Sequence, residues 1–480
     1  MNILVVTGRR AFETAKTSVG AAATVRRLET DIAAFITPKM LESIPDSRNY
    51  DLILIPGLIS ADFSSLEKKL GIPIRRGPKH ACDLGFVLQY AGSVEFSTRI
   101  PACELLRDLR RTEAVREVES LEDGAQASFH VKGLKIGGSS RMKVMAEIVD
   151  ATRLDEDELR EKVNYFVSSG ADIIDLGAGL DASPADVTSA VATARALTSL
   201  PVSIDTLNPD HILAGIKAGA DIVLSLNREN IGKVGKEVAK SGAAAVVIPD
   251  DGNDDIFSNI RRARACGIIN IIADPVIEPV GHGFVDSLAG YSMFRKANPA
   301  TPLFFGAGNI TELFDADSIG INALLAGAAM ELRAAILFTP EFSSKAHGSI
   351  GEMKAASMMM ALAQKRGTAP KDLGIDLLVI KEKRKREYEK PAVNAVSAEP
   401  PVSWQPDPKG SFRIGITGTE IVARHRDGAI TGAHAADVFN TIMKMGLVSR
   451  PDHAAYLGRE LMKAELAIKF RRSYAQDDDF

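Results

Sequence analysis

Cysteine is scarce in this chain of 480 residues: Cys82, Cys103 and Cys266 are scattered and lack CxxC spacing. That leaves neither a disulfide framework nor a thiolate metal site. No run of about 18 apolar residues is present to span a bilayer. The opening MNILVVTGRR has no charged leader followed by a long apolar segment; it reads as a first β-strand entering a turn. A net charge of -4 is too small to imply a surface for polyanions. Nucleic acid and membrane are therefore not expected as partners, and the cytoplasm is the expected compartment. What the chain has in quantity is core-forming sequence. With 45% hydrophobic and 25% charged residues, and about 150 residues per domain as a prior, it divides into roughly three units.

Residues 1–125 alternate short apolar runs (NILVVTG, DIAAFI, YDLILIPG) with helical stretches, which predicts an open α/β domain with a parallel core. The segment ASFHVKGLKIGG after it predicts a short hairpin. Over residues 126–380 the pattern becomes a regular alternation of strand and helix. The strands MKVMAEIV, ADIIDLG, PVSID, ADIVLSL, AAVVIPD, INIIADP, PLFFGAG and AAILFTP are short and nearly continuous in Ile, Val and Leu, as parallel strands covered by helices must be. Eight such units predict a (β/α)8 TIM barrel; a doubly wound sheet is the alternative and would be expected to stop at five or six strands. Residues 381–410, charged and then Pro-rich, predict a linker. Residues 411–480 predict a small α+β domain, a hairpin followed by two helices, with Asp452 capping the last helix and Glu460 and Lys463 forming a solvated pair on it.

Barrels place their chemistry at the carboxyl ends of the strands, so polar residues that end strands carry the site argument. Glu147 interrupts VMAEIV, Asp175 sits in DIIDLG, and Asp205 ends VSID. Ser225 and Asn227 end DIVLSLN, Asp274 ends IIADP, and Asn309 follows FFGAG. Together Asp205, Asp274 and the amides suit a flat heterocycle with a guanidine-like edge, such as a 2-amino-4-oxopteridine, whose N–H donors a carboxylate accepts in pairs. The same acids could instead bind a divalent metal, pair with Arg or Lys, or cap the following helices. After the eighth strand, TPEFSSKAHGS offers Ser343, Ser344, Lys345 and His347 as an anion site, where barrels often bind phosphate. In the first domain Arg75 and Arg76 lie at a strand exit and could hold a phosphate, or form a basic surface.

The ordered series SSGADIIDLGAG, LPVSIDT, AGIKAGADIV and IIADP resembles the pterin-binding barrels, the superfamily of dihydropteroate synthases and methyltetrahydrofolate-dependent methyltransferases. The likeness covers Arg141 to about Ser349. With the flanking domains and HAAYLGRELMKAE, the chain resembles the dihydropteroate synthase-related proteins of organisms that make tetrahydromethanopterin. The resemblance implies that Asp205 and Asp274 hold the pterin edge, with Asn309 near the ring and Ser225 and Asn227 at the end of the fourth strand, where only Asn227 can substitute for the Asn that the family carries. It implies a condensation of a dihydropterin-methyl diphosphate with an aromatic amine, ribofuranosylaminobenzene 5'-phosphate; the chemistry of a departing diphosphate adds Mg2+, which could bridge it to Glu147 or Asp150. The partners would be these small molecules, with a homodimer left open.

The chain also departs from the synthases. Where they carry Asn-Val-Thr-Pro-Asp it has AEIVDATRLDE; for Ser-Thr-Arg-Pro it has GLDASPADV; for Ser-Arg-Lys it has GAGNIT. Without that arginine and lysine, a reduced-pterin-dependent methyltransferase and a non-catalytic pterin-binding protein stand as alternatives.

Overall fold

The computed structural model describes residues 1–45, 47–250, 256–371, 373–380, 396–398 and 405–478. These form two compact units. One comprises Met1–Ser128, Gly137–Met142 and Ser357–Asp376; the other comprises Phe129–Ile136, Lys143–Ala356 and Leu377–Phe480.

The first unit contains four parallel strands, β1 (Ile3–Thr7), β2 (Thr24–Arg27), β3 (Leu52–Ile55) and β4 (Ile74–Arg76), in the order β2-β1-β3-β4. Alternate residues of β1 and β3 feed two cores. Leu4, Val6, Ile53 and Ile55 pack on one face, and Ile3, Val5, Leu52 and Leu54 on the other. Burial on both faces explains why these strands read as unbroken apolar runs.

The second unit opens with the hairpin β5 (Phe129–Val131) and β6 (Leu134–Ile136). Eight strands follow: β7 (Lys143–Ile148), β8 (Ile173–Gly177), β9 (Val202–Asp205), β10 (Ile222–Leu226), β11 (Ala244–Val247), β12 (Ile271–Ala273), β13 (Leu303–Gly306) and β14 (Ala334–Pro340). All neighbours are parallel and β14 pairs with β7, so the sheet closes, as the eightfold alternation predicts. Val131 and Ile136 of the hairpin join Met145, Ile173, Ile222, Ala244 and Ile272 in one apolar cluster. Ile173, Ile222 and Ala244 are the first residues of their strands, so the hairpin packs toward the amino-terminal end and leaves the carboxyl end as the mouth.

Helix starts are set locally. Asp155 and Glu158 form a capping box for the helix Glu156–Ser169, and Gly170 ends it at φ 100°. Ser183 and Asp186 do the same for Pro184–Leu197, whose proline stands in the first turn. The segment GLDASPADV thus builds a helix start.

The C-terminal part has one strand more than the expected hairpin: β15 (Arg413–Ile416), β16 (Ile421–His425) and β17 (Gly428–Gly432) form an antiparallel sheet packed on the helices Ala435–Lys444 and Pro451–Phe470. Two further expectations are corrected. Asp452 lies inside the first turn and is held by Arg450, which itself occupies the cap position. Glu460 does pair with Lys463, at 2.8 Å, but the pair is not solvated: Glu460 is buried and also accepts from the Tyr474 hydroxyl at 2.9 Å and the Asp477 amide at 3.2 Å, because the chain's end folds back over it. Most of the expected linker, 381–395 and 399–404, lies outside the described residues.

Asp407, at the end of that stretch, ties the domain together. It accepts hydrogen bonds from the Lys409 amide at 2.9 Å, the Ser449 amide and hydroxyl at 2.9 and 2.5 Å, and the Arg450 amide at 3.0 Å, and lies 3.1 Å from His453 Nδ1. Burial would raise this carboxyl's pKa; the bonds, from Ser449 first, outweigh it and hold the group well below the usual range. Asp407→Ala leaves these donors without their shared acceptor. It is expected to give the C-terminal domain its own earlier melting transition, visible by calorimetry as a split endotherm.

Candidate functional site

Glu147, Asp175 and Asp205 come from three consecutive barrel strands. Glu147 is level with Asp175, and Asp205 with Gly177 one step nearer the mouth. One carboxylate oxygen from each lies within 4.8 Å of the others. The register that closes the barrel also sets Pro340 opposite Glu147. A Cβ at Gly177 would stand 3.0 Å from Glu147 Oε1, so a side chain there would press on this carboxylate.

No cation bonds this cluster among the described residues, so burial and mutual repulsion both favour the neutral acids. Burial first, then Asp205, Glu312 and Asp150, push Glu147 up to about 8. Asp175, with no exposed surface, is raised well above the carboxylate range by burial and by Asp205 and Glu147. Asp205 is raised by burial, against a bond from Ser225. Ser203 donates to Asp175 Oδ1, whereas Asp175 Oδ2 is buried with no hydrogen-bond partner.

Ser225 donates to Asp205 Oδ1 at 2.8 Å. It does so from φ 67°, where β10 slips in its register against β11. A left-handed non-glycine residue costs about 1 kcal/mol or more, and such residues persist where the surroundings hold them. Across the mouth, Asp274 Oδ1 accepts from the Val276 amide at 2.9 Å and from the Tyr291 hydroxyl at 2.6 Å. Val276 has φ 63°, unusual for a β-branched side chain. Burial raises Asp274 to about 6, against these two bonds, and the charge of Asp205 adds to the rise.

The other expected residues are placed as follows. Asn309 stands in the short helix Gly308–Thr311, exposed, and donates its amide to the Ile277 carbonyl at 3.0 Å. Asn227 caps the helix Arg228–Ser241, accepting from the Glu229 amide at 3.0 Å, so its oxygen is committed to the backbone. Asp150, at φ 51°, is bound by Arg153 at 2.9 Å; the acids gathered with Glu147 are Asp175 and Asp205.

After β14 the loop meets carboxylates. Glu312 accepts the Phe342 and Ser343 amides at 3.0 Å each, Lys345 donates to Asp315 at 2.7 Å, and His347 stacks on Tyr165 and lies 3.4 Å from Glu341. Ser343 Oγ is buried without a partner, and Ser344 begins a single 3-10 turn. In the first unit, Arg75 is paired with Glu67 at 2.7 Å, while Arg76 Nε is buried without a partner.

Sequence reasoning missed Tyr291, Ser203 and Glu312. Tyr291 carried one usable signal: it lies three residues before Phe294 on one helical face, and a tyrosine on a buried face needs a partner for its hydroxyl.

Residues 147–268 of this closed parallel barrel match the family described as pterin binding enzyme. The chain belongs to the family of a protein that it matches from end to end. An uncharacterized protein of Methanocaldococcus jannaschii is 35% identical over 523 aligned positions, covering 100% of this chain and 99% of that protein. Residues 406–477 match a family described as PterinBD-DUF4346, and residues 2–79 a family of unknown function, DUF6513. Among solved structures, a Yersinia pestis dihydropteroate synthase with a pterine-sulfa conjugate is 19% identical, with 49% of this chain and 99% of that one covered and a TM-score of 0.40. The Thermus thermophilus dihydropteroate synthase is 20% identical, covering 46% and 93%, with a TM-score of 0.38. No described helix is long and apolar enough to cross a membrane.

Proposed function

We propose that the protein joins a dihydropterin-methyl diphosphate to an aromatic amine and releases diphosphate, and that the amine is ribofuranosylaminobenzene 5'-phosphate, a step of tetrahydromethanopterin synthesis. The observation that carries this reading is the pair Asp205 and Asp274, brought to one rim from the third and sixth barrel strands, each with one oxygen already bonded by a hydroxyl. Buried carboxylates oriented in this way are acceptors for the N–H groups of an amino-oxo pteridine ring. A relative spanning the full chain in a methanogenic archaeon supports the choice of pathway.

In the reaction the amine nitrogen forms a bond to the methylene carbon, the C–O bond to diphosphate breaks with its electron pair, and the nitrogen loses a proton. The barrel's part is to hold the ring so that this carbon lies in line with the amine. Glu147, Asp175 and Asp205 fit a hard divalent cation. They offer three oxygen donors within 4.8 Å, and Asp175 Oδ2 is buried with no other partner. Mg2+ held there would supply charge neutralisation for the departing diphosphate. Within the barrel unit Ser343 and Lys345 are the groups left for phosphate, with Lys345 first having to give up Asp315.

The test is diphosphate release from the dihydropterin-methyl diphosphate in the presence of Mg2+. Release is expected with the ribosylated amine and not with p-aminobenzoate. Methyl transfer from a reduced methylpterin to a corrinoid protein, with no diphosphate from either amine, would replace the condensation by the methyltransferase reading. Pterin binding with no turnover at all would leave a binding protein.

A further inference from the structure

We infer that Tyr291 is a positioning residue for the pterin: its hydroxyl, together with the Val276 amide, occupies Asp274 Oδ1 and so turns Oδ2 into the one oxygen that carboxylate presents to a ligand. The inference rests on Asp274 as a pterin contact and goes beyond it by assigning how the contact is set.

A carboxylate oxygen has two lone pairs, and both of those on Oδ1 are used within the protein. No described residue bonds Oδ2. The torsion that would otherwise let the two oxygens exchange is fixed twice, by a backbone amide two residues on and by a side chain 17 residues on.

The tyrosine itself is rigid. It has no exposed surface, and its ring packs against Phe305 of β13 with centroids 5.4 Å apart. Burial and the carboxylate beside it push its own pKa well above the ordinary value, so it stays a donor through the physiological range. The amide partner is bought with a left-handed Val276, a backbone state that the surrounding structure must hold. Two independent devices thus converge on one oxygen, which is more than packing alone requires of a strand exit.

Tyr291→Phe removes the hydroxyl and keeps the ring against Phe305. The probe is 6-hydroxymethyl-7,8-dihydropterin, titrated calorimetrically into the full chain from about pH 5 to about pH 8. Binding is expected to weaken about tenfold at the upper end, the worth of a charge-assisted hydrogen bond and of the orientation it imposes. A second signature is expected in the pH profile. The groups acting on the Asp274 carboxyl are the Tyr291 hydroxyl and Val276 amide, which favour its charged form, and Asp205, which opposes it, all against burial. Wild-type affinity should therefore fall as pH drops through about 6, and in Tyr291→Phe that limb should move to higher pH. An unchanged affinity and an unchanged limb overturn the inference, and so does a uniform loss at every pH, which is what a merely structural tyrosine would give. A wild-type chain that binds no pterin overturns it along with the pterin contact. Intact binding without diphosphate release sinks only the condensation.

Discussion

Replacing Asp205 by asparagine is expected to weaken pterin binding about a hundredfold while leaving the fold intact or slightly more stable. The carboxylate offers Oδ2 entire and part of Oδ1, since Ser225 takes one position on Oδ1. An amide of the same shape keeps one acceptor oxygen, which Ser225 would hold, and turns an NH2 toward a ligand edge that is itself made of donors. Two charge-assisted bonds are thereby lost and a donor–donor clash is introduced, a larger penalty than simple deletion. Stability should move the other way. Asp205 is raised by burial and stands beside Glu147 and Asp175, so a neutral side chain relieves the trio. Calorimetric titration with a dihydropterin and a thermal melt of the same sample check both halves. Unchanged affinity in a folded variant would remove Asp205 from the binding site.

Asp205 and Asp274 were legible because each terminates a run of apolar residues, a place where a charge has no packing role and must face either a partner or a ligand. The eight strands were legible for a related reason: with helices outside and side chains within, each had to be apolar on both faces. What escaped was long-range pairing. The loop SSKAHG reads as cationic by itself, and its character changes when Glu312 and Asp315, about 30 residues earlier, fold onto it. Asn227 reads equally as a strand-end ligand or as the cap of RENIG, and the unpaired amides of a helix start make the local claim the stronger one. Tyr291 has meaning only through burial beside Asp274. Asp175 was visible as an acid inside a strand, yet its fellowship with Glu147 and Asp205 depends on barrel register that no single strand displays.

Raising the pH from about 5 to about 8 is expected to cost the metal-free protein stability through Glu147, and this is the second large effect. Its carboxyl is raised from 4.5 to about 8. Between those values the folded chain holds a proton that the unfolded chain has released, so stability falls as pH climbs, and above about 8 the full penalty, roughly 5 kcal/mol, is present. Acids elsewhere whose carboxyls are lowered by partners, Asp407 among them, slope the opposite way, so the readout is the difference between wild type and Glu147→Gln rather than either curve alone. The variant should melt higher than wild type at pH about 8 and no higher at pH about 4, below the unfolded value. Mg2+ should act as a second means of relief. Binding the charged trio only when folded, it stabilises wild type by mass action most strongly at high pH, where the acids need not first lose protons, and it should do little for Glu147→Gln. Coincident pH profiles for the two proteins would mean that Glu147 is not neutral in its pocket, and equal stabilisation by Mg2+ would place the ion somewhere other than among these three acids.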